Sequence, residues 1–266
     1  MKRMIKKIML VIVILIELPN TAFSQNVNDN DRKQSALQLG LSIINMEDNA
    51  LNNVMHSGSG IFGAWHLERS DNKSVKDFDL EFASGFLKSD FESETATYRF
   101  SGSAGFSWLR NLSKNSSDLN FYLGGKGEIK TAIEYFDNWD ESHFYWMTAY
   151  SAGIDFRFDH SFGTNSRIRI EGDMPVFSLA SRPPAEFLYT QSSPSLKSVL
   201  GDLNHDLGVL FPTSYLDFHL QVKYSLWNPK KFMPAIFWKL NYLNFNKGVS
   251  NSMKYIDQTI GVEYIF

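Results

Sequence analysis

The chain contains no cysteine. It therefore forms no disulfide and carries no lipid on an N-terminal thiol. Long hydrophobic runs are missing as well. The most extended apolar stretch near the start, Ile8 to Ile16, is nine residues, and no later segment approaches the roughly 20 that a membrane helix requires. Proline is sparse: eight in 266 residues, three of them clustered at Pro183, Pro184 and Pro194. Positive charge is not in excess, with 26 Lys+Arg against 29 Asp+Glu, which excludes the basic footprint of a nucleic-acid binder. Phosphate loops, zinc-ligand spacings and nucleophile elbows are absent too, so no cofactor or metal is expected.

What the N-terminus does have is an export pattern. Lys2, Arg3, Lys6 and Lys7 precede the apolar run, Pro19 follows it, and Ala22-Phe23-Ser24 places small residues at the −3 and −1 positions of a cleavage site. This reads as a signal peptide over residues 1–24, cut before Gln25. Those residues hold four of the basic groups and one acidic group, leaving 22 against 28 and a net charge of −6. Residues 25–34 are polar and read as a periplasmic leader. Residues 35–266 are long enough for one all-β domain.

Aromatics are 15% of the chain, and they fall at alternate positions. In the last nine residues, QTIGVEYIF, Ile260, Val262, Tyr264 and Phe266 alternate with Thr259, Gly261 and Glu263. In VKDFDLEFASGF, Phe78, Leu80, Phe82 and Phe86 alternate with Asp77, Asp79 and Glu81. A period of two puts each set on its own face of a strand. A small soluble barrel cannot hold so many rings inside. Turned outward they meet acyl chains, and the polar face then lines a wet lumen. Eleven such strands can be counted. A single-chain bacterial barrel takes an even number, so an antiparallel transmembrane barrel of twelve strands is expected, the twelfth near Ala185–Gln191; ten is the alternative. NMEDNALNNVMHSG, DFESE and AIEYFDNWDES read as loops between strands, the last two acidic and solvated.

Signal peptide, absence of cysteine, repeated amphipathic strands and a closing strand ending VEYIF resemble the outer-membrane β-barrel proteins of Gram-negative bacteria. The resemblance implies residence in the outer membrane, contact with its lipid and lipopolysaccharide, and folding by the barrel assembly machinery. It also implies that this machinery reads Tyr264 and Phe266. No nucleic acid is expected as a partner, and the barrel is taken as a monomer.

The densest polar cluster surrounds HSFGTNS. Asp155, Arg157 and Asp159 precede it; Arg167, Arg169, Glu171 and Asp173 follow. A turn centred near Gly163 pairs Asp159 with Arg167 and sets Arg157 near Arg169 and Glu171, each cross-strand pair contributing about 0.2–1 kcal/mol. The group serves either as a charged constriction that selects solutes or as a ladder that fills a narrow lumen. Arg182 with Pro183 and Pro184 forms a stiff segment able to enter the barrel mouth as a plug. No catalytic residue is assigned: His160 and Ser161 are adjacent, and neighbours on a strand point to opposite faces. The expected role is a narrow porin-like or transport channel. A non-conducting barrel that anchors surface loops is the alternative, and a lipid hydrolase the third.

Overall fold

Alternation of this kind can be satisfied in lipid only if every strand finds a partner on both edges, and the chain does so by closing on itself. The computed structural model describes residues 32–48, 54–71, 73–89, 96–113, 118–136, 143–162, 166–182, 201, 203–204, 207–226, 233–248 and 251–266. They form eleven strands: β1 (Arg32–Asp48), β2 (Val54–Ser70), β3 (Ser74–Ser89), β4 (Ala96–Asn111), β5 (Leu119–Phe136), β6 (His143–Phe162), β7 (Ser166–Ser181), β8 (Gly208–Leu210), β9 (Tyr215–Leu226), β10 (Met233–Asn246) and β11 (Ser252–Ile265). Apart from β8, each strand pairs antiparallel with its neighbours, and β1 pairs with β11 from Ala36↔Ile265 to Asp48↔Met253. The signal peptide, the possible strand at 185–191 and most of the leader lie outside the described residues. β1 itself begins at Arg32, within the stretch read as leader.

The barrel has ten positions, not twelve. β8 and β9 both bond the same edge of β7, through Ser178↔Leu210 to Ala180↔Gly208 and through Ser166↔Leu226 to Asp173↔His219. They are two pieces of one interrupted strand. Between them the chain makes a tight excursion, in which the N–H groups of Ser214 and Tyr215 both donate to the Phe211 carbonyl at 2.8 Å. Among the described residues the weak alternation over 199–211 thus supplies three residues of ladder, and counting it as a whole strand inflates the total.

Two segments read as loops are strand. β1 continues to Asp48, and β5 continues to Phe136 through Ala132 and Glu134. Loop-like composition misleads here because polar residues are what an inward face demands. The strands hold 14–20 residues in most cases, β8 and β9 being shorter. About 9–11 tilted residues cross a bilayer, so the wall extends beyond it. The outward pair Glu47↔Lys254, 3.8 Å apart, marks where the exterior becomes polar, at the end of the barrel away from the chain termini. That end is called the far end below, and the end carrying Arg32 and Phe266 the near end.

Sidedness largely follows the sequence reading. Leu41 is 70% exposed, Ile61 64%, Trp108 63% and Ile260 64%, and all face outward. One bulge preserves this pattern. The β6–β7 register jumps from Ala152↔Phe177 to Gly153↔Pro175, leaving Val176 over. Past that point the parity of β7 switches, so Phe177 and Leu179 face out while Ser178 and Ala180 face in. The correction concerns aromatics: Phe62, Tyr145, Tyr215, Phe237, Phe245 and Tyr255 are buried in the interior, not turned to lipid.

Phe237 shows how tightly the interior is filled. Its ring lies against Gly40 and Gly261, a directly opposed pair at the β1–β11 junction. A Cβ on Gly261 would overlap the Leu39 carbonyl oxygen and stand 2.7 Å from Gly40 Cα on the paired strand, as well as 2.6 Å from Phe237 Cζ. Gly261→Ala should therefore lower stability by about 1–3 kcal/mol, measured as the urea midpoint of the folded barrel in detergent, and Phe237→Leu in the same chain should recover part of the loss.

Candidate functional site in the barrel lumen

Every inward position of a closed strand meets side chains from across the barrel, so the lumen is where the polar residues converge. In the near half Arg157 is the hub. Its Nη1 donates to Glu68 Oε2 at 3.0 Å and its Nη2 to Asp77 Oδ2 at 3.3 Å, and its Nε stands 3.4 Å from Glu171 Oε2. Arg169 donates to the same Glu68 oxygen at 2.8 Å and to Asp159 Oδ1 at 2.9 Å, while Arg167 also pairs with Asp159. Lys223 bridges Glu171 at 2.7 Å and Glu263 at 3.1 Å. Gln38 donates to Glu263 at 2.6 Å and accepts from Gln221 at 3.1 Å.

At mid-height a second chain of contacts crosses the barrel. Lys126 holds Asp173 at 3.1 Å. His219 lies between Asp173 and Asp217, each 3.1 Å from a ring nitrogen, and Lys130 closes on Asp217 at 2.8 Å. Glu128, Asp217 and His219 bring ligand atoms within 4.8 Å of one another, a possible metal triad. The Lys130 ammonium already neutralises Asp217 there, so the residues present do not call for a metal.

The far half is different. Ile44, Met46, Leu87, Met147, Leu243 and Met253 pack inside the barrel with Tyr145, Tyr215, Phe245 and Tyr255. Two ion pairs are sealed among them, Arg99–Glu134 and Arg182–Asp48. Arg99 lies over the Tyr255 ring at 4.2 Å, and Arg182 donates to Asn251 Oδ1 at 3.0 Å. Two cavities in the lumen, lined by described residues, measure about 60 Å³ and about 30 Å³, each with space for a few waters.

No protein-family model matches the chain, and no curated protein sequence does. Solved structures do. The outer membrane protease OmpT from Escherichia coli aligns with a TM-score of 0.52 and 9% identity, over 92% of this chain and 99% of that one. The chain has the fold of an outer-membrane β-barrel. The translocator domain of the autotransporter NalP from Neisseria meningitidis aligns at 0.46 and 8% identity, over 87% and 88% of the two chains. The transport unit of the autotransporter AIDA-I from Escherichia coli aligns at 0.38 and 9%, over 92% and 94%. At such identities the likeness concerns architecture alone.

Within this barrel all seven residues of the predicted cluster face the lumen, but their register differs from the expected one. Asp159 stands opposite Arg169, and Arg157 opposite Glu171. Arg167 still reaches Asp159 on the diagonal. The turn is centred one residue later than Gly163, which moves each pairing by two. Asp155 stands directly opposite Asp173, and Lys126 and His219 hold the latter. Arg182 is buried at the far end and pairs with Asp48 of β1; Pro183 and Pro184 lie outside the described residues. So do Asp90, Glu92, Glu94, Asp137, Asp140 and Glu141 of the acidic loops. Glu134, expected in a solvated loop, is instead 4% exposed and paired with Arg99. His160 lies beside Phe162 on the outer wall, its ring 4.1 Å from the phenyl centroid, while Ser161 is on the inward face, so no catalytic pair forms. Tyr264 faces outward, and Phe266 exchanges backbone hydrogen bonds with Ser35 at 2.9 and 3.1 Å.

The hairpin cluster proved to be one sector of a larger network. Glu68, Asp77, Lys126, His219, Lys223 and Lys239 belong to it, each at an alternating inward position that the sequence displays. Not every member has a counter-ion. Asp79 and Asp155 are 5% and 8% exposed, and among the described residues no cationic nitrogen lies within 4.0 Å of either, although Ser107 hydrogen-bonds Asp155. The network predicts opposite outcomes for two substitutions. Arg157→Met leaves Glu68, Asp77 and Glu171 short of a partner and should cost about 3–5 kcal/mol. Asp155→Asn removes an unpaired charge and should leave the urea midpoint unchanged or raised.

Proposed function

We propose that this chain is an outer-membrane protein whose barrel is closed to solutes and serves as a rigid membrane anchor for its far-end connections. The observation that carries the reading is the filled interior. Charged pairs span the near half, an apolar cluster with two sealed ion pairs occupies the far half, and a cavity of about 60 Å³ lies among the mid-height charges. A hydrated ion needs a continuous path of water, and such a filling opposes one. The connections at the far end, residues 49–53, 90–95, 137–142, 183–207 and 247–250, are then the parts offered to a partner or to lipopolysaccharide.

Export through residues 1–24, recognition of Tyr264 and Phe266 by the assembly machinery, and residence as a monomer in the outer membrane complete this proposal. They are supported by the signal pattern, the terminal strand and the fold. The second reading is a narrow porin-like channel in which Arg157, Arg167, Arg169 and their acidic partners form the constriction. The charge of both signs that runs from the near end to mid-lumen favours it, and it requires the far-end cluster to move aside.

Planar bilayers separate the two. The refolded chain should insert and give no discrete conductance, and Arg169→Ala should leave the membrane equally silent. Ion-selective steps in the native chain, altered by Arg167→Ala or Arg169→Ala, would overturn the closed barrel in favour of the channel.

A further inference from the structure

Two buried carboxylates without a counter-ion are brought to one place by the register. Asp79 on β3 and Asp155 on β6 both line the mid-height cavity of about 60 Å³. Asp79 stands opposite Gly105 on β4. Its two oxygens lie 2.6 and 2.9 Å from the point where a Gly105 Cβ would be, so the missing side chain is what gives the carboxylate its space over β4. Two residues further along β4, Ser107 stands opposite Asp77 and hydrogen-bonds Asp155, which reaches it from β6 across β5. Asp77, Asp79 and Asp155 therefore converge over one short piece of β4.

Unmet polar atoms gather at the same cavity. Among the described residues, Asp79 Oδ2, Asp77 Oδ1 and His66 Nε2 are buried without a hydrogen-bond partner, and all three residues line it. His66 on β2 is directly opposite Asp79. A buried ionised oxygen with no partner is costlier than a neutral one. The cations that share the cavity are turned to other carboxylates. Lys126 Nζ lies 3.1 Å from Asp173 and 3.5 Å from Glu128, and Lys239 holds Glu81. His219 sits between Asp173 and Asp217. Arg157 meets Asp77 through Oδ2, which takes up the charge of Asp77 and leaves Oδ1 without a donor. Two negative charges, those of Asp79 and Asp155, stay uncompensated.

We propose that Asp79 and Asp155, with Asp77 Oδ1 and Ser107 Oγ, hold one oxygen-ligated divalent cation, of the calcium or magnesium kind, in the mid-lumen cavity. The two carboxylates balance its charge. Asp77, Ser107 and water add the further oxygens that a hard cation takes. Ser107 donates its hydroxyl proton to Asp155 and keeps its lone pairs for the ion. The ion ties β3 to β6 across the two strands between them. The site is separate from the Glu128, Asp217 and His219 group, where Lys130 already meets the carboxylate charge. It stands equally for a closed or a conducting barrel, so the bilayer measurement does not decide it.

The test is cation retention by the full chain, refolded in detergent at neutral pH. Equilibrium dialysis against radioactive calcium should show one ion held per chain, and its loss in Asp79→Asn and in Asp155→Asn. Stability supplies the second readout. A ligand that binds only the folded barrel raises its stability by an equal step for each tenfold increase in free ligand above the dissociation constant. Calcium or magnesium should therefore raise the urea midpoint of the native chain above its value in a chelator. Asp155→Asn should lose that rise while matching or exceeding the native midpoint in the chelator, which separates loss of the ion from failure to fold. A native chain that retains neither cation, as when the two carboxyls are protonated instead, overturns the site. Retention or a rise in midpoint that both substitutions leave intact overturns it as well.

Discussion

Everything in this structure follows from the closing of one hydrogen-bond ladder. A strand facing hydrocarbon has no water to satisfy its backbone, so an open edge there is far costlier than in a soluble sheet. The chain removes its edge by bringing β1 against β11 along almost their full lengths, to the point where Phe266 still exchanges bonds with Ser35. Closure fixes which side chains look inward, because the period of two is rigid and the register is continuous around the ring. It also explains the two irregularities. The bulge at Val176 and the excursion between β8 and β9 lie on neighbouring strands, so both edges of one seam are adjusted together while the inward set of β7 remains inward.

Closing ten strands sets a second constraint. A ring only slightly larger than the eight-stranded barrels that side chains fill has little room for solvent, so inward charges must find one another. They do so across the barrel as well as along hairpins: Arg157 on β6 reaches Glu68 on β2, and Lys239 on β10 reaches Glu81 on β3. Burying such groups carries a desolvation cost that pairing roughly offsets, so their contribution is less to net stability than to register and rigidity. A slip of one strand by two residues would separate several of these contacts at once. The apolar far half contributes the transfer free energy that the charged half lacks.

The division between what the sequence displayed and what it hid has a physical origin. Faces were legible, since alternation is local: Asp77 and Asp79 against Phe78 and Leu80, or Asp217 and His219 against Leu216 and Phe218, declare the inward set without any model. Partners were not legible, because a contact such as Lys130 with Asp217 joins residues 87 apart and depends on the curvature of the whole ring. The hairpin register failed by two because turn composition alone does not say where a turn is centred. Polar inward residues near strand ends, Asp48 and Glu134 among them, have the composition of loops and were read so. The interior aromatics were missed for a related reason. An argument that sends all rings to lipid has no place for Tyr215 or Phe245, yet a narrow barrel end that must be sealed needs side chains of that volume.

A filled interior also shifts the question of activity to the surfaces that remain. Most charged lumen side chains are committed to one another, so on the closed-barrel reading a partner is met by the connections at the far end or by the outer wall.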